Sequence, residues 1–244
     1  MLVAAHRGSS GTAPENTIAA FREAVSAGAD LIELDVRFTR DLEPVVIHDR
    51  LLRRTTGGRG DVNLYTVDEL KQFDAGSWFA PQFAGERIPL LRQVLEEMPM
   101  HMGINIEVKA DGDRRARALL VEHLCRVIHA HGTHRSLLVS SFDHRFLQVL
   151  HRQDPLVPLG VLLHPVRDAA RRPSHLARRL HAGFILCSRT MVRRAIVERA
   201  HAQGVKVGVY TVNRADDLDR LRRFGVDLVF TNFPSAIRMA LRDA

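Results

Sequence analysis

Residues 31–48 read LIELDVRFTRDLEPVVIH: two β-prone runs, 31–37 and 44–48, separated by only six residues. A parallel crossover takes a dozen or more residues, so these runs form an antiparallel hairpin, with Asp41 as its turn residue. That reading sets the strand count. Seven further apolar runs stand at 2–6, 103–109, 137–141, 158–163, 183–188, 205–211 and 227–231. Helix-period stretches alternate with them near 17–27, 89–98, 113–130, 143–151, 167–180, 190–203, 214–223 and 234–242. Such alternation argues for parallel strands with helical crossovers. Nine strands are one too many for an eight-stranded barrel. With 44–48 set aside as a hairpin arm, eight remain, so the expected fold is an α/β barrel. A two-residue loop at Asp41-Leu42 would pair Arg40 with Glu43 and set Asp35 opposite His48, and directly opposed residues share a face.

Segment 50–88 interrupts the alternation. It is rich in turn residues (Thr56-Gly57-Gly58-Arg59-Gly60, Asp74-Ala75-Gly76-Ser77) and holds Trp78, Phe73, Phe79 and Phe83. We read it as a small insertion emerging at the strand ends, with a packing role, a site-shaping role, or both. The chain has 244 residues, enough for one barrel domain. Its apolar runs are too short to cross a membrane. The N-terminus shows no signal-peptide pattern, and Cys125 and Cys187 lack a paired spacing and read as reduced thiols. These features point to a cytoplasmic protein. The formal charge is +7, but the arginines are dispersed and form no nucleic-acid signature. A solvated basic surface that favours anionic small molecules is the expectation, without a nucleic-acid or membrane partner. The oligomeric state is open.

Alternation locates the chemistry. In Ile32-Glu33-Leu34-Asp35-Val36 the two acids share a face, and in 104–109 Asn105, Glu107 and Lys109 do. The apolar faces pack on helices, so the acids point into the barrel, where unpaired carboxylates are costly. A buried salt-bridge network is one reading. The other is a metal site: Glu33, Asp35 and Glu107 offer only oxygen ligands, which suit Mg²⁺ or Ca²⁺ better than Zn²⁺. His6 and His48 fall at strand ends and suit metal ligation or, preferably, acid–base work on a phosphodiester. Arg7 can hold a phosphate bidentately, and Lys109 can neutralise charge on its non-bridging oxygens. Other histidines invite attention. His129, His131 and His134 have ligand-like spacing without a completing acid or cysteine, and His164 follows a strand that ends near the barrel mouth. Asn16 suits either a site contact or a helix cap.

The ordered set His6-Arg7-Gly8, Pro14-Glu15-Asn16-Thr17, Glu33-x-Asp35, His48-Asp49, Asn105-Ile106-Glu107-x-Lys109, Ser140-Ser141-Phe142, Tyr210-Thr211-Val212-Asn213 and Thr231-Asn232-x-Pro234 spans the chain. It resembles the glycerophosphodiester phosphodiesterase family, in particular its short cytosolic bacterial type. The resemblance includes Asp74-Ala75-Gly76-Ser77-Trp78 in the 50–88 segment. It implies a TIM-type (β/α)8 barrel, one domain over 1–244, with 50–88 as the family insertion after the hairpin that follows the second strand. It implies one divalent cation, Mg²⁺ or Ca²⁺, on Glu33, Asp35 and Glu107, a catalytic pair His6 and His48, and Arg7 and Lys109 on the phosphate. Tyr210, where many members carry Trp, should wall the pocket. Asn232, where many carry Asp, should cap the last helix. The implied reaction is hydrolysis of small glycerophosphodiesters, such as glycerophosphocholine or glycerophosphoethanolamine, to glycerol 3-phosphate and an alcohol, through attack by the neighbouring glycerol hydroxyl and a cyclic phosphate. Two rival expectations stand beside it: a lysophospholipase D-like activity, and a non-catalytic barrel that binds phosphate or nucleic acid.

Overall fold

The computed structural model describes residues 1–110, 114–132, 134–168 and 171–242. Nine strands occur among them: β1 (Leu2–His6), β2 (Leu31–Phe38), β3 (Pro44–Val46), β4 (Gly103–Val108), β5 (Leu137–Ser141), β6 (Leu159–Leu162), β7 (Phe184–Ser188), β8 (Lys206–Tyr210) and β9 (Leu228–Thr231). The helices are α1 (Ile18–Ser26), α2 (Arg53–Thr56), α3 (Val67–Leu70), α4 (Leu91–Glu97), α5 (Arg114–His131), α6 (His144–Gln153), α7 (Pro173–Arg179), α8 (Arg194–His201), α9 (Leu218–Phe224) and α10 (Pro234–Arg242). Positions 113 and 169–170 of the expected helices lie outside the described residues.

Eight strands run parallel in the order β1-β9-β8-β7-β6-β5-β4-β2, and a β1–β2 pairing closes the barrel. Closure leaves no free edge among these strands. Strand β1 stops at His6, opposite Glu33, while β2 continues to Phe38. That overhang would expose backbone donors and acceptors on the side β1 vacates; β3 pairs there antiparallel, at Val36–Val46, Arg37–Val45 and Phe38–Pro44. The hairpin arm is therefore confirmed, but its register differs by one residue from the expected one. Thr39 pairs with Glu43 across a three-residue loop, with Leu42 in the left-handed region at φ 63°. The longer loop sets Asp35, through its carbonyl, against the amide of Ile47 at 2.9 Å and not against His48.

Two apolar layers hold the barrel. Outward-facing Ile32, Leu34, Ile104, Ile106, Val139, Val161, Ile185, Val207 and Val229 pack against helix residues such as Phe21, Leu124, Phe146 and Leu221. Inside the barrel, Ala4, Leu162, Leu186, Leu228 and Phe230 form a second cluster. Fully burying each large apolar side chain is worth about 1.5–3 kcal/mol. Between β3 and α4 the chain forms short helices over a small core of Val45, Ile47, Leu52, Val62, Leu70 and Leu90. Thr66 and Glu69 cap α3 reciprocally, and both Asp74 carboxylate oxygens accept backbone amides at 2.7–2.8 Å. No helix among the described residues is long and apolar enough to cross a membrane.

Candidate active site

Strand register gathers the polar residues at one end of the barrel. His6 pairs with Glu33, Glu33 with Asn105, Asp35 with Glu107, and Glu107 with Ser140. Paired residues on adjacent strands face the same way, so the inward alternation expected of Glu33, Asp35 and Glu107 becomes one cluster. Carboxylate oxygens of these three residues lie within 4.8 Å of one another, and all three residues are buried. After β1 the chain turns sharply: Arg7 has φ 56° and Gly8 φ 80°. A Cβ on Gly8 would stand 2.7 Å from Ala20 in α1, so only glycine lets the helix approach. This turn aims the Arg7 amide at Glu33 Oε2, 2.9 Å away, and its guanidinium at Asp35 Oδ2, 3.1 Å, and Glu15 Oε1, 2.9 Å.

Crowded acids in a buried site repel one another. Burial, then the neighbouring Asp35 charge, pushes the Glu33 carboxyl up. Glu107 is also raised, by burial first and then by Asp35 and Glu33. Asp35 goes the other way: burial opposes its charge, but Lys109 and Arg7 overcome it. Lys109 Nζ sits 2.9 Å from Asp35 Oδ1 and also pairs with Glu107. Glu33 Oε1 and Asn105 Oδ1 are buried with no hydrogen-bond partner. An all-oxygen donor set, mutual repulsion and orphaned acceptors fit a hard divalent cation.

The histidines are held from one side. Nδ1 of His6 lies 2.8 Å from Asn232 Oδ1, and Nδ1 of His48 lies 2.6 Å from Asp49 Oδ1. With Nδ1–H donated to an oxygen, Nε2 is left to take or give a proton. Burial, then the Arg7 charge, lowers the His6 pKa; burial lowers that of His48, against the pull of Asp35. Although β3 ends one register step away, the chain bends at His48 and carries the ring to the mouth. His6, Arg7, Glu33, His48, Asn105, Glu107, Lys109 and Tyr210 line one cavity of about 180 Å³, with Phe142, Leu162, Leu186 and Phe230 on its apolar side. The Tyr210 hydroxyl donates to the Leu163 carbonyl at 2.9 Å, and its ring meets Phe142 edge-on.

The model of the glycerophosphoryl diester phosphodiesterase family matches residues 6–236. This chain belongs to that family. A glycerophosphodiester phosphodiesterase of Caldanaerobacter subterraneus subsp. tengcongensis is 38% identical over 237 residues, covering 97% of this chain and 96% of the relative. One of Bacillus subtilis is 32% identical over 248 residues, covering 96% and 84%. Among solved structures, an Oleispira antarctica phosphodiesterase in complex with the product sn-glycerol-3-phosphate superimposes with a TM-score of 0.91 at 31% identity, covering 99% of this chain and 97% of that one.

Other residues of this family member complete the site, some of them in roles that differ from the sequence reading. Asn232 does not cap α10; its side chain holds His6. Asn16, at φ 59°, donates to Asp35 Oδ2 and accepts from the Asp35 amide, while Thr17 caps α1. Arg54, in the 50–88 segment, binds Glu15 at 2.7 Å and Asp49 at 2.6 Å, joining Arg7 to His48 through a chain of charges. The motifs holding Arg7, Glu15 and His48-Asp49 were the sequence signals for that network, and Arg54 had none. His164 turns away from the cavity: its Nδ1 accepts the amides of Val166 and Arg167. His129 pairs with Asp154 and His131 with Glu96, so the histidine run does not converge.

Proposed function

We propose that this protein hydrolyses glycerophosphodiesters to sn-glycerol 3-phosphate and an alcohol. The observation that carries the reading is a cluster of three carboxylates, of which Glu33 and Glu107 line one cavity together with two histidines, each anchored through Nδ1. The relatives' activity and the product held by the Oleispira antarctica structure support it. Glu33, Asp35 and Glu107 would hold Mg²⁺ or Ca²⁺, which when bound would polarise the phosphoryl oxygen and acidify a nearby hydroxyl.

In the first step the glycerol hydroxyl next to the phosphate attacks phosphorus, and the bond from phosphorus to the head-group oxygen breaks. One histidine takes the hydroxyl proton at Nε2, and the other gives a proton to the departing alcohol. In the second step water opens the cyclic phosphate with the two roles exchanged, so one water is consumed overall. Arg7 and Lys109 supply fixed positive charge to the phosphate oxygens, and Tyr210 walls the glycerol side. Glycerophosphocholine and glycerophosphoethanolamine are suitable test substrates. The reading treats 1–244 as one catalytic barrel domain, with 50–88 bracing His48 through Arg54. The free, buried Cys125 and Cys187 support a cytoplasmic setting.

The test is glycerol 3-phosphate release by wild type, His6→Ala and His48→Ala. Each variant should stay folded and lose on the order of a thousandfold or more in turnover. A near-wild-type rate in either variant removes that histidine from the mechanism. Turnover of lysophosphatidylcholine in preference to glycerophosphocholine would favour the lipid-directed reading.

A further inference from the structure

Beside the catalytic cavity lies a larger, open groove of about 500 Å³. The two share Glu107, Lys109 and Phe142 as a common wall. A ligand whose phosphate rests at Lys109 therefore has a way outward past Phe142. The inner cavity, at about 180 Å³, is the smaller of the two, and the outer groove offers the larger space for a leaving alcohol.

That outer space is built from arginine. Arg37, Arg117, Arg145, Arg167 and Arg171 line it, and among the described residues the one carboxylate in its wall beyond the shared Glu107 is Asp143. Asp143 is taken by Arg117 at 2.6 Å. Arg167 and Arg171 share a single acid, the buried Asp168, at 3.8 and 3.3 Å. Arg171 is also steadied by Nδ1 of His144, 3.1 Å away, whose Nε2 donates to the Leu162 carbonyl. The Arg145 guanidinium is exposed and has no acidic partner among the described residues. Among the described residues, Arg145, Arg167 and Arg171 thus leave the groove an excess of positive charge, presented on planar forks that match phosphate oxygens. A quaternary or primary ammonium head group would meet repulsion there, and the described residues form no aromatic cage to compensate.

Resting on the proposed diesterase activity, we infer that the groove is a subsite for a leaving alcohol that carries a second phosphate, and that such substrates are preferred over those with cationic head groups. The bond broken is the same one: phosphorus to the head-group oxygen, with the proton delivered to an alcohol that keeps its own phosphate.

Three substrates test this: glycerophosphocholine, glycerophosphoinositol 4-phosphate (a phosphomonoester on the leaving group) and bis(glycerophospho)glycerol (a second phosphodiester). The wild-type kcat/KM for at least one of the phosphorylated pair should exceed that for the choline ester by about tenfold or more at low salt, and the advantage should shrink as salt rises. Which of the two leads tells whether the groove takes a terminal or an internal phosphate. In Arg145→Glu and in Arg145→Gln/Arg171→Gln, checked for an unchanged melting temperature, the phosphorylated-to-choline ratio should fall by about tenfold. A choline ester turned over as well as or better than both phosphorylated substrates overturns the inference, as does a ratio the variants leave in place. If none of the three is hydrolysed, the proposed activity itself fails, and this inference with it.

Discussion

The two halves of the barrel interior are built on opposite principles. Strands β6 to β9 fill their half with Leu162, Leu186, Leu228 and Phe230, packed so closely that a Cβ on Gly208 would stand 2.6 Å from Leu186. Strands β1, β2, β4 and β5 place His6, Glu33, Asp35, Asn105, Glu107 and Ser140 in the other half. There Glu33 Oε1, Asn105 Oδ1 and Ser140 Oγ are buried without a partner. Both halves share the same outer apolar layer against the helices. The difference shows where the fold is stabilised and where it accepts a cost in order to act: unsatisfied buried polar groups and crowded like charges destabilise, and they collect on the side that faces the histidines.

The largest effect should come from breaking the polar half. Glu33→Gln and Asp35→Asn should each lower turnover on the order of a thousandfold or more, while Glu33→Gln, which removes one of the crowded charges, keeps far-UV circular dichroism and melting temperature near wild type. A matched lesion in the apolar half should do the reverse. Leu228 is 1% exposed and lies away from the cavity wall, so Leu228→Ala should cost about 2–5 kcal/mol of stability and leave the turnover of the folded fraction close to wild type. Denaturant unfolding beside initial rates separates the two outcomes, and equal loss of activity in both variants would erase the distinction.

A smaller effect sharpens it. If a divalent cation relieves the repulsion among Glu33, Asp35 and Glu107, Mg²⁺ or Ca²⁺ at a hundred times its dissociation constant should stabilise the protein by about 2.7 kcal/mol over the chelated form. Glu33→Gln should lose most of that gain in a thermal shift. The smallest effect concerns His6, whose pKa burial and Arg7 hold below the ordinary value. A base must be neutral to act, so a low pKa places the acid limb of kcat/KM at low pH. Asn232→Asp adds an anion against Nδ1, favours the imidazolium and should move that limb to higher pH by about one unit. A limb that stays in place would assign it to another group.

The barrel and its polar face were legible because they depend on local periodicity. Alternation in 31–36 and 104–109 turned Glu33, Asp35, Glu107 and Lys109 inward, and the short link at 38–43 excluded a ninth barrel strand. The hairpin register was not legible, because it depends on Leu42 adopting a left-handed conformation that leucine rarely takes. Asn232 was misread and Arg54 missed for a different reason. Each is a loop or short-helix residue with a partner outside its own element, 226 residues away for Asn232 and His6 and 39 for Arg54 and Glu15, and no local pattern marks such a pairing. The arginines of the groove come from separate segments, so composition showed the charge but not its convergence.

The central claim is that the clustered acids serve a cation-assisted diester hydrolysis. The most direct measurement is glycerol 3-phosphate release from glycerophosphodiesters by the wild-type protein, first in excess EDTA and then after adding back Mg²⁺ or Ca²⁺, with Asp35→Asn in parallel. The account predicts negligible release with chelator, recovery with one of the cations, and no recovery in the variant. Full activity in excess EDTA, or a variant as active as wild type, would contradict it.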